Sequence, residues 1–366
     1  MSESQLESEN SPLAVVHTFG SHRQMGQQIG EEFPDKICHS IDNAKKLLSD
    51  AYDEIQLKWD GAKIQAKKYI PFAEERYPQY VDEMRGIADG ANVDFDDIAV
   101  VNAIEAVTTD ALHLTKCTSM AVNQEQTANG HVLIAHNEDW IPEDEPDVYL
   151  IHAKPDDEPA FLAMTYGALL PNIGFNAEGI AQCCDSVYTD DSRIGIPRTV
   201  VSRAVLASRT PGEAIRHMLS PKRAAGYNHL LAHESGELYN IEVSARRFAV
   251  LSNEKGYLVH TNHYLDFQMK EIESEPDELI ATRVRYWRAL HLLGRNNNHT
   301  IKSLQSIQKD HINYPDSICN HDIVGGALDR EKTITALTID LTTRLLYAAH
   351  GTPCQNPFST YQLNGS

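Results

Sequence analysis

From residue 21 to residue 107 apolar side chains recur at intervals of three and four, the spacing that lays one helix face on a core. The pattern predicts helices over 22–32, 36–57, 62–70, 80–90 and 98–107, broken at Pro34, Pro71 and Pro78 and capped before the last by Asp94, Asp96 and Asp97. At Cys117 the period changes. Short apolar and β-branched runs predict strands over 117–122, 131–140, 148–153, 160–166 and 180–184, with Gly174-Phe175-Asn176-Ala177-Glu178-Gly179-Ile180 as a tight turn between strands. Two helices follow over 198–208 and 211–219, the second capped by Thr210 with Pro211 at its first position. Strands resume over 229–233, 237–243, 247–252 and 257–261, then helices over 279–294 and 301–311, then a hairpin over 333–340 and 344–349. Strands grouped in runs imply antiparallel sheets rather than parallel crossover units, an α+β class.

Composition narrows the function without choosing it. The chain has 366 residues, 42% hydrophobic, enough for a sizeable core. Its net charge of -20 argues against nucleic acid or an anionic membrane surface as partner. No apolar run approaches the ~18 residues of a membrane helix. Residues 1–20 begin acidic and polar, without the features of a secretory leader, and are expected to form a disordered tip. Six cysteines without a framework spacing fit a reducing, cytoplasmic setting. His260-x-x-His263 and Cys319-x-His321 each make half a metal site, and neither CxxC nor HExxH occurs, so no metal or other cofactor is expected.

The candidate chemistry lies where the period changes. Lys116-Cys117-Thr118-Ser119 opens one strand and His136-Asn137-Glu138-Asp139-Trp140 closes the next, with Thr127-Ala128-Asn129-Gly130 as the expected turn. The start of one antiparallel strand lies beside the end of its partner, so Cys117 and Asp139 are expected to be neighbours. A thiol beside a carboxylate still lacks an evident base, and most cysteines only pack.

Cys-Thr-Ser, a glycine-containing turn and Asn-x-Asp-Trp resemble the head of the mature chain in the N-terminal-nucleophile hydrolases, most closely the isopenicillin-N acyltransferase branch. The resemblance runs from about Gly20 to Leu363. It implies a four-layer αββα sandwich preceded by a helical pro-segment. It also implies self-cleavage between Lys116 and Cys117, giving a small subunit of residues 21–116 and a large one of 117–366. By the same likeness Cys117 is the nucleophile, its freed α-amine the base, and Asp139 the group that orients the amine. Asn176 and Asn262 match oxyanion donors, and Arg283 a supporting arginine, although Arg285 and Arg288 stand close enough to take that part. His136, where several relatives carry arginine, and Asn137 and His263 are candidate substrate contacts. Taken alone, Asn176 reads as a turn residue, Asp139 as a strand-end acid and Arg283 as an exposed helix face.

The function implied is a cysteine amidohydrolase or acyltransferase that forms a thioester on Cys117 from a small N-acyl amide. The expected partners are that amide and the chain's own cleaved small subunit, with a higher oligomer open. Three alternatives stand beside it. They are an acyl-coenzyme A-dependent N-acyltransferase, a thiol hydrolase with His136 or His263 as base, and an unprocessed binding protein on the same fold.

Overall fold

The computed structural model describes residues 12–108, 116–252, 254–274, 279–322 and 331–363. Residues 1–11 of the expected tip, Asn253 of one predicted turn and residues 275–278 of an acidic stretch lie outside the described residues, as does 109–115, which leads into Lys116.

Two sheets face each other. One has eight strands in the order β1 (Val15–Gly20), β4 (Val148–Pro155), β5 (Phe161–Tyr166), β6 (Ile173–Asn176), β7 (Ile180–Asp185), β8 (Tyr227–His233), β9 (Leu238–Val243) and β10 (Phe248–Leu251). The other has six, in the order β11 (Tyr257–His260), β2 (Lys116–Val122), β3 (Leu133–Trp140), β12 (Lys332–Asp340), β13 (Leu345–His350) and β14 (Phe358–Gln362). Every neighbouring pair is antiparallel except β1 and β4.

Alternation along the strands sends one set of side chains inward and the other outward. Ala121, Ile134, Leu337 and Ile339 of one sheet meet Leu150, Leu162, Phe175 and Leu230 of the other in the central core. Outward from the six-stranded sheet, Met120, Val122, Leu133 and Ala135 pack on α12 (Ile280–Leu293) and α13 (Ile301–Gln308) through Ala289, Leu293, Leu304 and Ile307. Outward from the eight-stranded sheet, Tyr149, Ile151 and Phe161 pack under the N-terminal helices. These are α1 (His22–Glu32), α2 (Pro34–Asp50), α3 (Tyr52–Ile55), α4 (Trp59–Ala66), α5 (Ile70–Arg76), α6 (Pro78–Ala91), α7 (Phe95–Asn102) and α8 (Ile104–Val107). The same side carries α9 (Arg198–Val205) and α10 (Pro211–Met218) over Ile180, Leu231 and Ile241, and a short α11 (Phe267–Lys270) follows β11. The expected four layers, helix, sheet, sheet, helix, are therefore present.

Glycine spacing sets how tightly the helical lead-in packs. A Cβ on Gly26 would lie 2.0 Å from the Glu83 carbonyl oxygen, and one on Gly86 would lie 2.2 Å from that of Arg23. With Gly30 and Gly90 one turn on, α1 and α6 approach backbone to backbone along their length.

Two expectations need correction. The tip expected at 1–20 is not wholly unstructured. Val15 to Gly20 forms β1, which adds to β4 in parallel from Val15 opposite Leu150 to Gly20 opposite Pro155. Its short β-branched and aromatic run, VVHTFG, suits a strand and finds an open sheet edge. The second correction is the hairpin. Strand β2 ends at Val122 and β3 begins at Leu133, so the connection is longer than a four-residue turn and contains a 3-10 turn at Gln124–Gln126.

Candidate active site

The longer connection changes the register by one. Cys117 pairs with Glu138, Ser119 with His136, and Lys116 with Asp139. Because side chains alternate, a one-residue slip moves a side chain to the other face of the sheet. The Cys117 thiol therefore points inward with Glu138, while Asp139 lies on the face that carries α12 and α13. Asp139 is thus a neighbour of Cys117 on the paired strand, as expected, with its carboxylate on the opposite face from the thiol.

Inside the sandwich a chain of polar groups leads away from the sulfur. Cys117 Sγ donates to Glu138 Oε2 at 3.7 Å, and His136 Nε2 lies 2.8 Å from the same oxygen. His136 Nδ1 is 2.9 Å from Ser119 Oγ, which donates to Asp185 Oδ1 at 2.8 Å. Since the Ser119 proton points to Asp185, the histidine must carry a proton on Nδ1. The contact between His136 Nε2 and Glu138 then needs one further shared proton. All five groups are buried. Burial pushes the Cys117 thiol well up, and the carboxylates of Glu138, Asp185 and Asp139 add to it against the opposing charge of Arg285. The resting sulfur is a protonated thiol that reacts only once a base takes its proton.

The backbone of Cys117 is held from the other sheet edge and from α12. Its N–H donates to Asn262 Oδ1 at 2.7 Å. Arg285 Nη2 donates to that same oxygen at 2.8 Å, while Asn262 Nδ2 donates to the Ser186 carbonyl at 3.0 Å. Two donors on one end of the amide and an acceptor on the other fix its orientation. Asn262 thus presents oxygen, not N–H, to Cys117. It is placed as an acceptor for the cysteine nitrogen instead of the expected oxyanion donor. Arg285 also donates to the Cys117 carbonyl and, at 3.0 Å, to Thr118 Oγ1.

Arg283 is elsewhere. Its side chain is 44% exposed and reaches Glu273 at 3.4 Å, because two positions along α12 turn it away from the sheet. Of the three arginines, Arg285 is the one that meets Cys117; Arg288 pairs with Asp310. Asn176 serves the turn. Its Oδ1 accepts from the Glu178 and Ile180 N–H groups and its Nδ2 donates to the carbonyls of Leu206 and Ser208, so its hydrogen-bonding capacity is used locally. Asn137 faces outward and fastens the last turn of α13, donating to the carbonyls of Gln308 and Ile318. His263 lies under Thr261 and Thr282, and burial with the charges of His260, Arg283 and Arg285 lowers it to about 2, leaving it neutral. Asp139 accepts from Thr333 Oγ1 at 2.6 Å. Burial raises it to about 7, partly offset by Arg285 and the Thr333 bond.

A cavity of about 60 Å³ is lined by Glu138, which accepts from the Cys117 thiol, and by Ser186, whose carbonyl holds Asn262. One wall comes from the helical lead-in through Ser40, Leu47, Asn102 and Glu105; the other comes from the sheets through Trp140, Tyr166, Asn172 and Tyr227. Arg198, Glu105, Asp144 and Glu138 bring charge to it. Arg198 pairs with Glu105 and lies 4.8 Å over the Tyr227 ring. Residue reading by position missed Glu138, Asp185 and Asn172, and named Arg285 only as an alternative to Arg283. Hairpin register was the available signal for Glu138. Asp185 and Asn172 come from the opposite sheet and its connections, and local sequence carries no mark of them.

A buried cysteine gripped at the start of an inner strand of a four-layer sandwich defines an N-terminal-nucleophile type of acyltransferase or hydrolase. The family described as Acyl-coenzyme A:6-aminopenicillanic acid acyl-transferase matches residues 125–355, a stretch that begins just after the hairpin's first strand. The chain belongs to that family. It is 24% identical over 353 residues to the Acyl-coenzyme A:6-aminopenicillanic-acid-acyltransferase 40 kDa form of Emericella nidulans, covering 95% of both chains. It is 25% identical over 236 residues to the Beta-alanyl-dopamine/carcinine hydrolase of Drosophila melanogaster, covering 59% of each. Among solved structures, a Caenorhabditis elegans N-acylethanolamine-hydrolyzing acid amidase ortholog is similar at a TM-score of 0.44 and 14% identity, covering 62% of this chain and 93% of that one. No helix among the described residues is long and apolar enough to cross a membrane.

Proposed function

We propose that the chain cuts itself between Lys116 and Cys117 and that the mature enzyme hydrolyses a small N-acyl amide through a thioester on Cys117. The observation that carries this reading is the grip on one residue: its N–H on Asn262, its carbonyl on Arg285 and its thiol on Glu138 at the end of a cavity.

In the intact chain the sulfur attacks the Lys116 carbonyl carbon and its proton passes to Glu138, with His136, Ser119 and Asp185 behind it as a relay. The C–N bond breaks, the Cys117 nitrogen takes a proton, and residues up to Lys116 remain as a thioester on the sulfur. Water then releases a Lys116 carboxylate and regenerates the thiol. The new α-amine, with an ordinary pKa near ~8, keeps its place on Asn262 Oδ1 and becomes the base for substrate turnover. It takes the thiol proton as sulfur attacks the substrate carbonyl, passes it to the leaving amine, and water hydrolyses the acyl-enzyme. His136 acts in this scheme as a relay, not a substrate contact. Arg285 takes the part expected of Arg283. Asn176 and His263 support the scaffold, and Asp139 buttresses the strand end opposite Lys116.

Helices α2, α7 and α8 share the cavity walls with the sheets and their connections, so the cleaved small subunit stays bound as part of the substrate pocket. The lining carries Glu105 and Glu138 against one guanidinium, Arg198, with Asp144 pushed up to about 7 by burial. That balance favours an acyl or amine portion bearing positive charge over a polyanionic coenzyme A thioester. A β-alanyl amide, the substrate type in the name of the Drosophila relative, fits this balance. Six unbridged cysteines suit the same reading in a reducing cytoplasm.

The test is intact-mass analysis of freshly made protein, followed by a turnover screen of neutral, cationic and anionic N-acyl amines and of acyl-coenzyme A with amine acceptors. Fragments 1–116 and 117–366 with turnover of cationic amides are expected. Only full-length protein with no turnover after prolonged incubation in reductant would leave the binding-protein reading in its place.

A further inference from the structure

Away from the Cys117 site, four residues that are scattered in sequence converge. They are His311 just after α13, Cys319 and His321 on the connection toward β12, and Cys354 in the turn after β13. One ligand-type atom from each lies within 4.8 Å of all the others. His321 Nε2 is 3.0 Å from His311 Nε2, 3.6 Å from Cys319 Sγ and 3.3 Å from Cys354 Sγ.

Hydrogen bonding cannot account for the three contacts at His321 Nε2. A single imidazole nitrogen offers either one proton or one lone pair, so Nε2 of His321 can satisfy one of these three neighbours, not all. A tetrahedral ion can. With metal–nitrogen bonds of about 2.0–2.1 Å and metal–sulfur bonds of about 2.3 Å, the edges of a tetrahedron are roughly 3.3 Å between nitrogens and roughly 3.6 Å between nitrogen and sulfur. The three distances fall close to these edges.

The backbone that presents the ligands is already ordered by other contacts. The Cys319 N–H donates to the Asp310 carbonyl, and Asp310 is held by Arg288 at 2.6 Å. Asn320 exchanges bonds with Thr333, fixing the residue between Cys319 and His321. Gln355 and Asn356 N–H groups both donate to the Thr352 carbonyl, closing the turn that carries Cys354. Cys319 is buried and Cys354 exposed, so the cluster has a supporting base and an open side by which an ion can enter.

We propose that His311, Cys319, His321 and Cys354 form a structural Cys2His2 zinc site that clasps the turn after β13 to the α13–β12 connection. Two thiolates and two imidazoles are the donor set of closed, four-coordinate zinc sites, and all four positions are filled by protein, which leaves the ion no catalytic vacancy. On binding, Cys319 and Cys354 release their thiol protons to solvent and no electron is transferred. One route from the clasp toward the active centre runs through Thr333. Thr333, bonded to Asn320, also donates to Asp139 opposite Lys116.

The full chain, purified in reductant with zinc supplied and then dialysed, is expected to retain about one zinc per chain by elemental analysis. Cobalt(II) in its place is expected to show the intense visible bands of a tetrahedral ion and a sulfur-to-cobalt charge-transfer band. Cys354→Ser and His311→Ala change exposed side chains and should fold. Each should weaken retention more than ~10-fold and lose the rise in Tm that zinc produces. Cys117→Ala should keep its zinc, which separates this site from the Cys117, His136 and Glu138 cluster and makes the result independent of catalysis. The proposal is overturned by fully reduced protein that takes up no zinc, by a cobalt spectrum without thiolate bands, or by a Cys319–Cys354 disulfide forming with zinc present. Zinc kept in Cys354→Ser but lost in Cys117→Ala overturns it as well.

Discussion

Two buried polar networks lie on opposite faces of the eight-stranded sheet and behave differently. On the helical side, Glu83 of α6 bonds His22 of α1 at 3.0 Å and Arg203 of α9 at 3.1 Å, and Arg203 reaches Glu158 at 3.1 Å. The guanidinium also sits 4.6 Å from the rings of Tyr80 and Phe161. Two carboxylates meet one guanidinium and one histidine. Burial alone would lower His22, but bonds to Glu158 and Glu83 outweigh it and raise it to about 9. Burial likewise works against an ionised Glu158, yet Arg203 and His22 bring it down to about 2. Around Cys117 the charges are not arranged to ionise the group at the centre. Burial, with carboxylates adding to it, holds the thiol protonated, and Arg285 is committed to backbone and amide oxygens. Matched charges make a lock, whereas a neutral thiol among carboxylates is poised for a base to act.

That contrast can be broken from either end. Cys117→Ala should abolish cleavage and lower amide turnover by more than about 10³-fold, while thermal melting stays close to wild type. Mass spectra and rates on the same preparation check both halves. A variant that still cleaves at Lys116 would remove the thiol from the mechanism.

Arg203→Met should do the reverse. It strands Glu83 and Glu158 without their buried cation, a loss on the order of 3–5 kcal/mol in denaturant unfolding. Turnover per folded, processed molecule should remain near normal. A catalytic defect at unchanged stability would mean that the two networks are not separate.

Within the site, Arg285→Met or Asn262→Ala should slow turnover by ~10²–10³-fold in protein already confirmed as cleaved, the scale seen when one preorganised polar contact to a reacting centre is removed. Near-normal rates in either would uncouple the grip on Cys117 from catalysis.

Acidity separates the networks by sign. Glu158 has a lowered pKa, so its contribution is present above its ordinary value near 4.5 and is lost as pH falls toward about 2. His22 has a raised pKa, so its contribution is full below 6.5 and is lost as pH rises through about 9. Asp139 is also raised, from 3.8 to about 7, and its burial becomes steadily less favourable as pH climbs through that window. Asp139→Asn should therefore flatten the fall in stability between pH 4 and 7 and leave the acid limb unchanged. Unfolding curves taken across pH decide it; an unaltered slope would contradict the assignment.

The smallest effect is expected for Arg283→Ala, within about 0.5 kcal/mol in stability and with unchanged turnover. Arg283 is half-exposed and meets the buried Glu273 at only 3.4 Å, while Glu273 keeps its bond from the Tyr264 N–H, so Arg283 has little to lose. A large loss here, beside a mild Arg285→Met, would return the supporting role to Arg283.

Much of the fold was legible because helices and strands are written in local periodicity. The helix predicted at 22–32 is α1, and the change of period at Cys117 marks the first strand of the inner layer. The predicted order of strands and helices from β4 to β13 is the observed order apart from β6, which falls in the stretch expected as a turn, and a short helix at Phe267–Lys270. Strand β1 was missed because a short β-branched run has no meaning as structure until a sheet edge is there to receive it. Asn176 carried the expected turn signal, and its hydrogen bonds are those of a turn.

The sequence by itself determined the class of fold, the thiol at the head of an inner strand and the family likeness, since each depends on residues close together in the chain. Tertiary structure decided which face each residue reaches. A one-residue register put Glu138 on the sulfur and sent Asp139 behind the sheet, and the turn of α12 chose Arg285 over Arg283. It also joined His311 and Cys354 to a pair that looked like half a metal site. Faces and distant neighbours follow from how sheets pair and helices pack, and those are set by burial summed over the whole core, not by any short stretch of chain.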